Sequence, residues 1–579
     1  MPATASSSSS SIAPPERTTE VERLEDEDAG DSAPLLQRDE HENIAVMKTK
    51  AGTTLGLVRV WWLAFIVNLG GGFLFGYDSG VRYGFRTSFL AALSNDFLQG
   101  AYSGPLLPSR KISTTGRMRK DILLVMEDLL RVKVSSLAVS LQQLGGFVSC
   151  ILVWPLTNAI GRRKTLMISS VTFCIGAMIQ TINTHSLAAF YVARVIAGLG
   201  LGAATVVVPM FTSEMAPKEI RASLGSMFQW MYTWGIFLSY WVDYGVQRDH
   251  KANSAQWQIP ISLQLVPAGL LGLSMFTVTE SVRWLTKKGR HEEAWQSLKW
   301  IRADDSDITV AEMDEIRYGV EMEFQATEGL KFAELFQSVN FKPLALAFAV
   351  FTAQQATGAT AFAYYSTQYF KALVGGTGTQ NLLLAGLFGA VKVVACAFFV
   401  FFFADRFNRR TVLTLGASFM AACQISTAVV THYRPPPNPP ATGETHISSS
   451  GIATVALIFM FVIAYNLSWG PLPWPYVSEI FSTRIREPGV ATGVAAQWLF
   501  NFVFTLTTPY MIQNLGTSGP LHKTGWGTFL LWGLFDTVIA IFSWTVIKET
   551  KGKSLEQIAN VDNYAPTKSL VEETPNKSL

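Results

Sequence analysis

Two charged residues inside apolar sequence demand an explanation first. Asp78 closes the run GGFLFGYDSG (71–80), and Arg194 opens RVIAGLGLGAA (194–204). An ionised side chain in a membrane span is costly unless it is paired or faces a polar cavity. Burial favours the neutral acid, whereas a neighbouring guanidinium favours the carboxylate. Those opposed effects suit a group that binds and releases a proton as its surroundings alternate. The plainer alternative is a static ion pair that fixes helix packing.

A second set is uncharged. Gln229, Gln354, Gln355, Gln497 and Asn501 stand in apolar runs, and each amide both donates and accepts hydrogen bonds. A polyhydroxylated solute needs both, because every hydroxyl is donor and acceptor. Trp474 and Trp498, and with them Phe75, could stack on the apolar face of a sugar ring. The competing role is hydrogen bonding between helices. Lys392 is harder to place: it lies about 20 Å from Asp405 at ~1.5 Å per helical residue, near mid-membrane. A lysine there requires an anion or the loss of its proton. The carboxylate of an acidic substrate is one candidate; Asp536, at similar depth in the last apolar run, is the other and the favoured one.

These residues must be held by membrane helices. The 579 residues are 49% hydrophobic and 15% charged, against roughly 25% charged in soluble proteins. Apolar runs of about 20 residues fall near 57–80, 134–158, 165–185, 187–212, 222–246 and 256–279, then near 343–372, 381–404, 411–432, 451–477, 489–514 and 524–547. The expected architecture is all-α, with twelve transmembrane helices in two six-helix bundles (56–279 and 343–548). A linker (280–342) joins the bundles, and its stretch 289–301 has helical periodicity. Arg162, Arg163 and Lys164 share one loop, and Arg406, Arg409 and Arg410 share its counterpart. The positive-inside rule then places these loops, the linker and both termini in the cytosol. Residues 1–55 read as a disordered cytosolic tail, without the apolar segment of a signal peptide, and 549–579 as a second tail. Residues 81–133 break the pattern, with nine Lys and Arg in what should be a short external loop. Either they are a genuine extracellular insertion or unspliced sequence interrupts the first helix; the charge pattern favours the second.

The chain also repeats itself. SEMAPKEIR (213–221) is answered by SEIFSTRIR (478–486), and Gln229 by Gln497 and Asn501. A repeat of this kind points to a transporter of two similar halves with its site between them. The four cysteines fall in apolar runs and form no disulfide framework. A net charge of +3 gives no reason to invoke nucleic acid. No metal, nucleotide or covalent-catalysis motif appears, so no cofactor and no enzymatic activity are expected; GLGLG (198–202) lies within a helix, not after a strand.

In order, GGFLFGYDSG, GRR (161–163), the Arg194–Gly202 stretch, SEMAPKEIRAS, ESVRWL (280–285), QQATGATAFAYY (354–365), DRFNRR (405–410), PLPWPYVSEIFSTRIR (471–486) and ETKG (549–552) resemble the sugar porter family of the major facilitator superfamily. QQATGAT and GAVKVV are similar to its fungal sugar or quinate permease branch. The resemblance implies a proton-coupling pair in Asp78 and Arg194, and a central sugar site containing Gln229, Gln354, Gln355, Thr360, Trp474, Gln497, Trp498 and Asn501. Thr360 replaces the family's Asn, which shortens its reach. It also implies cytosolic gating by ion pairs among Arg162, Arg163, Glu214, Arg221, Glu280, Arg409, Arg410, Glu479 and Arg484. Exposed pairs are each worth about 0–1 kcal/mol, so a network is needed. Asn408 stands in place of the second motif's Gly, which suggests weaker gating.

The expected activity is proton-coupled uptake of a monosaccharide or polyol by a monomer, in the plasma membrane or, alternatively, the vacuolar membrane. Its partners are the solute, the proton and the lipid bilayer. The rivals are a quinate-like organic acid permease and a non-transporting nutrient sensor.

Overall fold

The computed structural model describes residues 53–81, 115–182, 186–217, 220–249, 254–327, 337–374, 378–403, 406–435, 449–481, 485–515 and 525–550, with the side chains of residues 132 onward in the second of these stretches. These residues form one compact unit within Ala51–Leu579. Among them there are helices and no strands.

The first half contains α1 (Thr54–Asn68), α2 (Leu74–Gly80), α3 (Thr115–Ile160), α4 (Arg162–Thr181), α5 (Leu187–Met215), α6 (Arg221–Asp249), α7 (Ala255–Leu263) and α8 (Leu265–Ser274). The linker holds α9 (Val282–Lys287), α10 (His291–Arg302) and α11 (Asp307–Thr327). The second half contains α12 (Ser338–Ala356), α13 (Ala359–Val374), α14 (Gly378–Phe398), α15 (Arg409–Tyr433), α16 (Ser449–Asn466), α17 (Pro473–Glu479), α18 (Arg486–Asn514) and α19 (Trp526–Thr545).

Nine segments of the described residues are long and apolar enough to cross a membrane, including Thr54–Gly80, Leu187–Met215 and Trp526–Thr545. The other three expected spans coincide with α4, α6 and the α12–α13 pair. They are helical too, but more polar or, in the last case, interrupted at Gly358. Helices suit a bilayer because each backbone polar group is satisfied within its own segment. The outer faces carry Leu152, Val171, Leu273 and Val538, each more than half exposed, as a lipid-facing surface requires.

Within the first half, α5 packs on α3 and α4; within the second, α15 packs on α19 and α16. The halves meet along α3 with α18 and α6 with α14. Close approach depends on small residues. A Cβ at Gly198 would collide with the carbonyl of Gln142, and one at Gly202 would lie 2.5 Å from the carbonyl of Gly146. The glycines of GLGLG therefore set the α3–α5 spacing.

The linker helix α10 follows its sequence pattern. Ala294, Leu298 and Ile301 are buried, with Glu292 and Glu293 in its first turn and Lys299 and Arg302 in its last, matching the helix dipole. It docks on the first half: Arg59 donates to the carbonyl of Trp300 (2.5 Å), and Arg302 donates to that of Met215 (3.1 Å) while pairing with Glu312 (2.7 Å). Burial of such contacts makes α10 part of the packed structure.

The anomalous stretch 81–133 falls mostly outside the described residues, as do the tail 1–52, residues 551–579 and the loop residues Lys218, Glu219, Asp405 and Arg484. Its last part is helical, because α3 begins at Thr115 and runs without a break into the second expected span.

Candidate substrate and proton site

Asp78 sits in α2, one short helix beyond a π-helical turn at Leu69–Phe73. Arg194 projects from α5, and its Nη1 lies 3.2 Å from Asp78 Oδ1. Each is 1% exposed. The same nitrogen donates to Gln142 Oε1 of α3 (2.7 Å), and Gln264 Nε2 approaches Asp78 Oδ1 at 3.4 Å. The guanidinium also lies over the Phe190 ring at 5.1 Å. Four helical segments of the first half thus converge on one ion pair. The structure brings the two residues together as the sequence reading expected, and adds Gln142 and Gln264.

The amides are buried as well. Gln354 Nε2 donates to the carbonyls of Trp469 (2.9 Å) and Gly470 (3.1 Å), exposed where the chain breaks between α16 and α17. Among the described residues its Oε1 has no hydrogen-bond partner, and neither has Oε1 of Gln355 or Gln497. Gln354 therefore combines the two roles weighed for it: one end ties helices and the other is open to a ligand donor. Asn501 Nδ2 approaches the Tyr364 hydroxyl at 3.4 Å, and its Oδ1 accepts from Thr505 (3.0 Å). Thr360 stands beside Tyr465. Gln229 is buried on α6.

The tryptophans differ. The Trp498 ring lies 5.0 Å from Phe75 and presses on Gly146, where a Cβ would stand 2.5 Å from the ring. Its Nε1 donates to Thr205 (3.3 Å). It thus bridges the halves. Trp474 packs edge-on to Phe228 (5.5 Å) and Phe351 (5.2 Å).

Tyr364 escaped the sequence reading. Its hydroxyl accepts from Gln143 Nε2 of α3 (2.8 Å) and lies 3.4 Å from Ser79 Oγ. With Asn501 it therefore gathers α2, α3, α13 and α18 at one point. The backbone departs from helical geometry at the next residue, Tyr365 (φ −119°, ψ 19°). Two consecutive glutamines, Gln142 and Gln143, inside an apolar run were the available signal.

At the end of the bundle bearing Arg162, the charged motifs form two matching sets. Glu280 accepts the N–H groups of Arg162 (2.9 Å) and Arg163 (3.1 Å) at the start of α4, and Glu549 accepts those of Arg409 (3.0 Å) and Arg410 (3.2 Å) at the start of α15. A carboxylate at a helix N-terminus satisfies orphan donors and opposes the dipole. Arg162 pairs with Glu214 (2.7 Å), and Arg409 with Glu479 (3.5 Å). Burial lowers the pKa of Arg162, but Glu214, Glu487 and Glu280 outweigh it and hold the guanidinium above its ordinary value. Glu487 is 3.7 Å from Arg162 and joins α18 to α4 across the halves.

Two expectations change, and one falls outside the described residues. Arg163 and Arg410 do not pair with carboxylates through their side chains; Arg163 donates to the carbonyl of Met275 (2.6 Å) and Arg410 to that of Trp544, so each closes a helix end within its own half. Arg221 begins α6, but its side chain, like Arg484, lies outside the described residues. Asp536 is not the partner of Lys392: it packs near Cys423 of α15, and neither carboxylate oxygen has a hydrogen-bond partner among the described residues. Lys392 instead faces α6. Helical rotation, not depth, decides such pairings.

The chain matches the family described as sugar (and other) transporter over residues 63–561. It belongs to that family. The quinate permease of Emericella nidulans is 31% identical over 443 residues, 75% of this chain and 81% of that protein. The probable quinate permease of Aspergillus flavus is 32% identical, covering 75% of this chain and 80% of its own length. The proton:xylose symporter XylE bound to 6-bromo-6-deoxy-D-glucose superposes with a TM-score of 0.68 at 25% identity, over 87% of this chain and 99% of that one. Inward-open XylE from E. coli gives 0.64 at 24% identity, over 87% and 99%. The fold is that of the major facilitator superfamily, and the chain is a multi-pass membrane protein of a transporter family.

Proposed function

We propose that this chain is a proton-coupled symporter of a polyhydroxylated small solute, a monosaccharide or related polyol, working by alternating access between two six-helix bundles. The observation that carries the reading is the sealed Asp78–Arg194 pair, next to helices whose buried amides have unpartnered oxygens. Gln229, Gln354, Gln355, Thr360, Trp474, Gln497, Trp498 and Asn501 would bind the solute. Asp78 would take the proton when Arg194 is drawn towards Gln142. Arg162, Glu214, Glu280, Arg409 and Glu479 would gate the cytosolic face, with Glu487 as the latch between halves.

The favoured location is the plasma membrane, with the vacuolar membrane as the alternative, and with both termini cytosolic and a monomeric chain. The relatives named quinate permeases support a second reading, in which the solute is an organic acid. The test is extracellular pH in cells expressing the chain as glucose, xylose, a polyol or quinate is added. Substrate-dependent alkalinisation that disappears in Asp78→Asn supports symport. Uptake of radiolabel without a pH signal contradicts coupling, and no uptake of any solute favours a non-transporting sensor.

A further inference from the structure

One buried charge has no part in the proposed cycle. Lys392 lies within α14 and is 3% exposed. Its ammonium stands 5.5 Å from the Tyr232 ring centroid and 5.6 Å from that of Phe388. It forms no ion pair and no hydrogen bond among the described residues. Asp78 is engaged by Arg194, Asp243 lies beside Tyr77 and Tyr240, and Asp536 lies beside Cys423. Aromatic faces offset part of the cost of burying a cation, but they are weaker partners than an anion.

The wall that Lys392 faces belongs to the candidate site. Tyr232 meets Phe75 at 4.8 Å, and Phe75 meets Trp498 at 5.0 Å. Tyr232 also lies beside Ser79, whose hydroxyl lies 3.4 Å from that of Tyr364. One turn along α14, Cys396 lies beside Thr233, the neighbour of Tyr232. Lys392 therefore stands behind the aromatic wall formed by Tyr232, Phe75 and Trp498.

We propose that Lys392 is the carboxylate-binding group of the central site, and that the solute is a polyhydroxylated monocarboxylate. This rests on the transporter reading above and takes its second form, in which the solute is an organic acid. The amides with open acceptors serve hydroxyls, which any sugar would supply. A neutral sugar leaves the ammonium buried beside it without a counter-charge. A carboxylate supplies one through a charge-assisted hydrogen bond, which is strong where water is excluded.

The experiment titrates the purified full-length chain in lipid nanodiscs, following intrinsic tryptophan fluorescence. The probes are quinate, its uncharged methyl ester, and xylose. The proposal expects quinate to bind at least about tenfold more tightly than the ester. Lys392→Gln should collapse that preference to within about twofold, and Lys392→Arg should restore most of it. Lys392→Met serves where the Gln variant fails to fold. Equal binding of quinate and ester by the unaltered chain overturns the proposal, as does a preference that survives in the Gln or Met variant. Binding of xylose without quinate removes the role of Lys392 and leaves the polyol reading standing. Binding of none of the three removes both.

Discussion

Arg194 and Asp78 lie 116 positions apart in the chain and meet at 3.2 Å, each sealed from solvent. Removing one partner of a buried pair leaves an uncompensated charge and costs about 3–5 kcal/mol. Asp78→Asn should therefore lower the unfolding temperature more than Arg194→Gln does, because a lone buried Asp78 can take up a proton whereas a lone guanidinium cannot lose one. Adding Arg194→Gln to Asp78→Asn should recover part of the loss. Thermal unfolding of the four proteins in one detergent checks the ordering, and strictly additive effects would contradict the pairing.

Arg162 touches carboxylates on both sides of the interface, Glu214 at 2.7 Å and Glu487 at 3.7 Å. The Glu487 side chain is 31% exposed, so its bond is worth at most about 1 kcal/mol. Glu487→Gln should change the uptake rate by no more than about fivefold. Because Glu214 is nearly buried and also accepts from Ser281, Glu214→Gln should have the larger effect. Initial uptake rates at two salt concentrations distinguish them: only the Glu487 contribution should weaken with salt.

The two GRR-type motifs do not place the same demand on their first residue. Gly161 has φ +97°, and a Cβ there would run into the Glu280 carboxylate. Asn408, in the corresponding place, is extended (φ −68°, ψ 133°), which any residue adopts. Its departure from glycine therefore leaves the Glu549 contacts intact. Gly161→Ala should destabilise by about 1–3 kcal/mol, and Asn408→Gly by less than about 1 kcal/mol. Chemical or thermal unfolding of the two variants measures the contrast.

Gln354 and Gln355 are neighbours with different duties. Gln354→Ala frees two backbone carbonyls at the α16–α17 break and should cost about 1–3 kcal/mol of stability as well as solute affinity. Gln355→Ala should raise the dissociation constant with a melting shift of less than half that size. Ligand titrations paired with melting curves separate the two. Equal melting shifts would make both residues structural.

Much of this architecture is readable from residue order. Apolar runs mark helices, and the pattern of α10 is correct to within two residues. Asp78 and Arg194 stand out because charge is rare in such runs. What is not readable is which face of a helix a lone polar residue occupies. Lys392 and Asp536 match in depth yet face different neighbours, α6 for one and α15 for the other. Tyr364, Gln143 and Glu487 act through contacts between distant segments, and one tyrosine among several aromatics carries no local signal. Glu549 lies within ETKG, and its role emerges only beside that of Glu280.

The central claim is that Asp78 couples solute movement to a proton. The most direct test uses the purified chain in liposomes with an imposed pH gradient, comparing accumulation with exchange of radiolabelled solute at equal pH. Asp78→Asn should abolish accumulation while exchange persists within about tenfold of the unaltered rate. Accumulation by Asp78→Asn at the unaltered level would contradict it and leave Asp78 as a packing residue for Arg194.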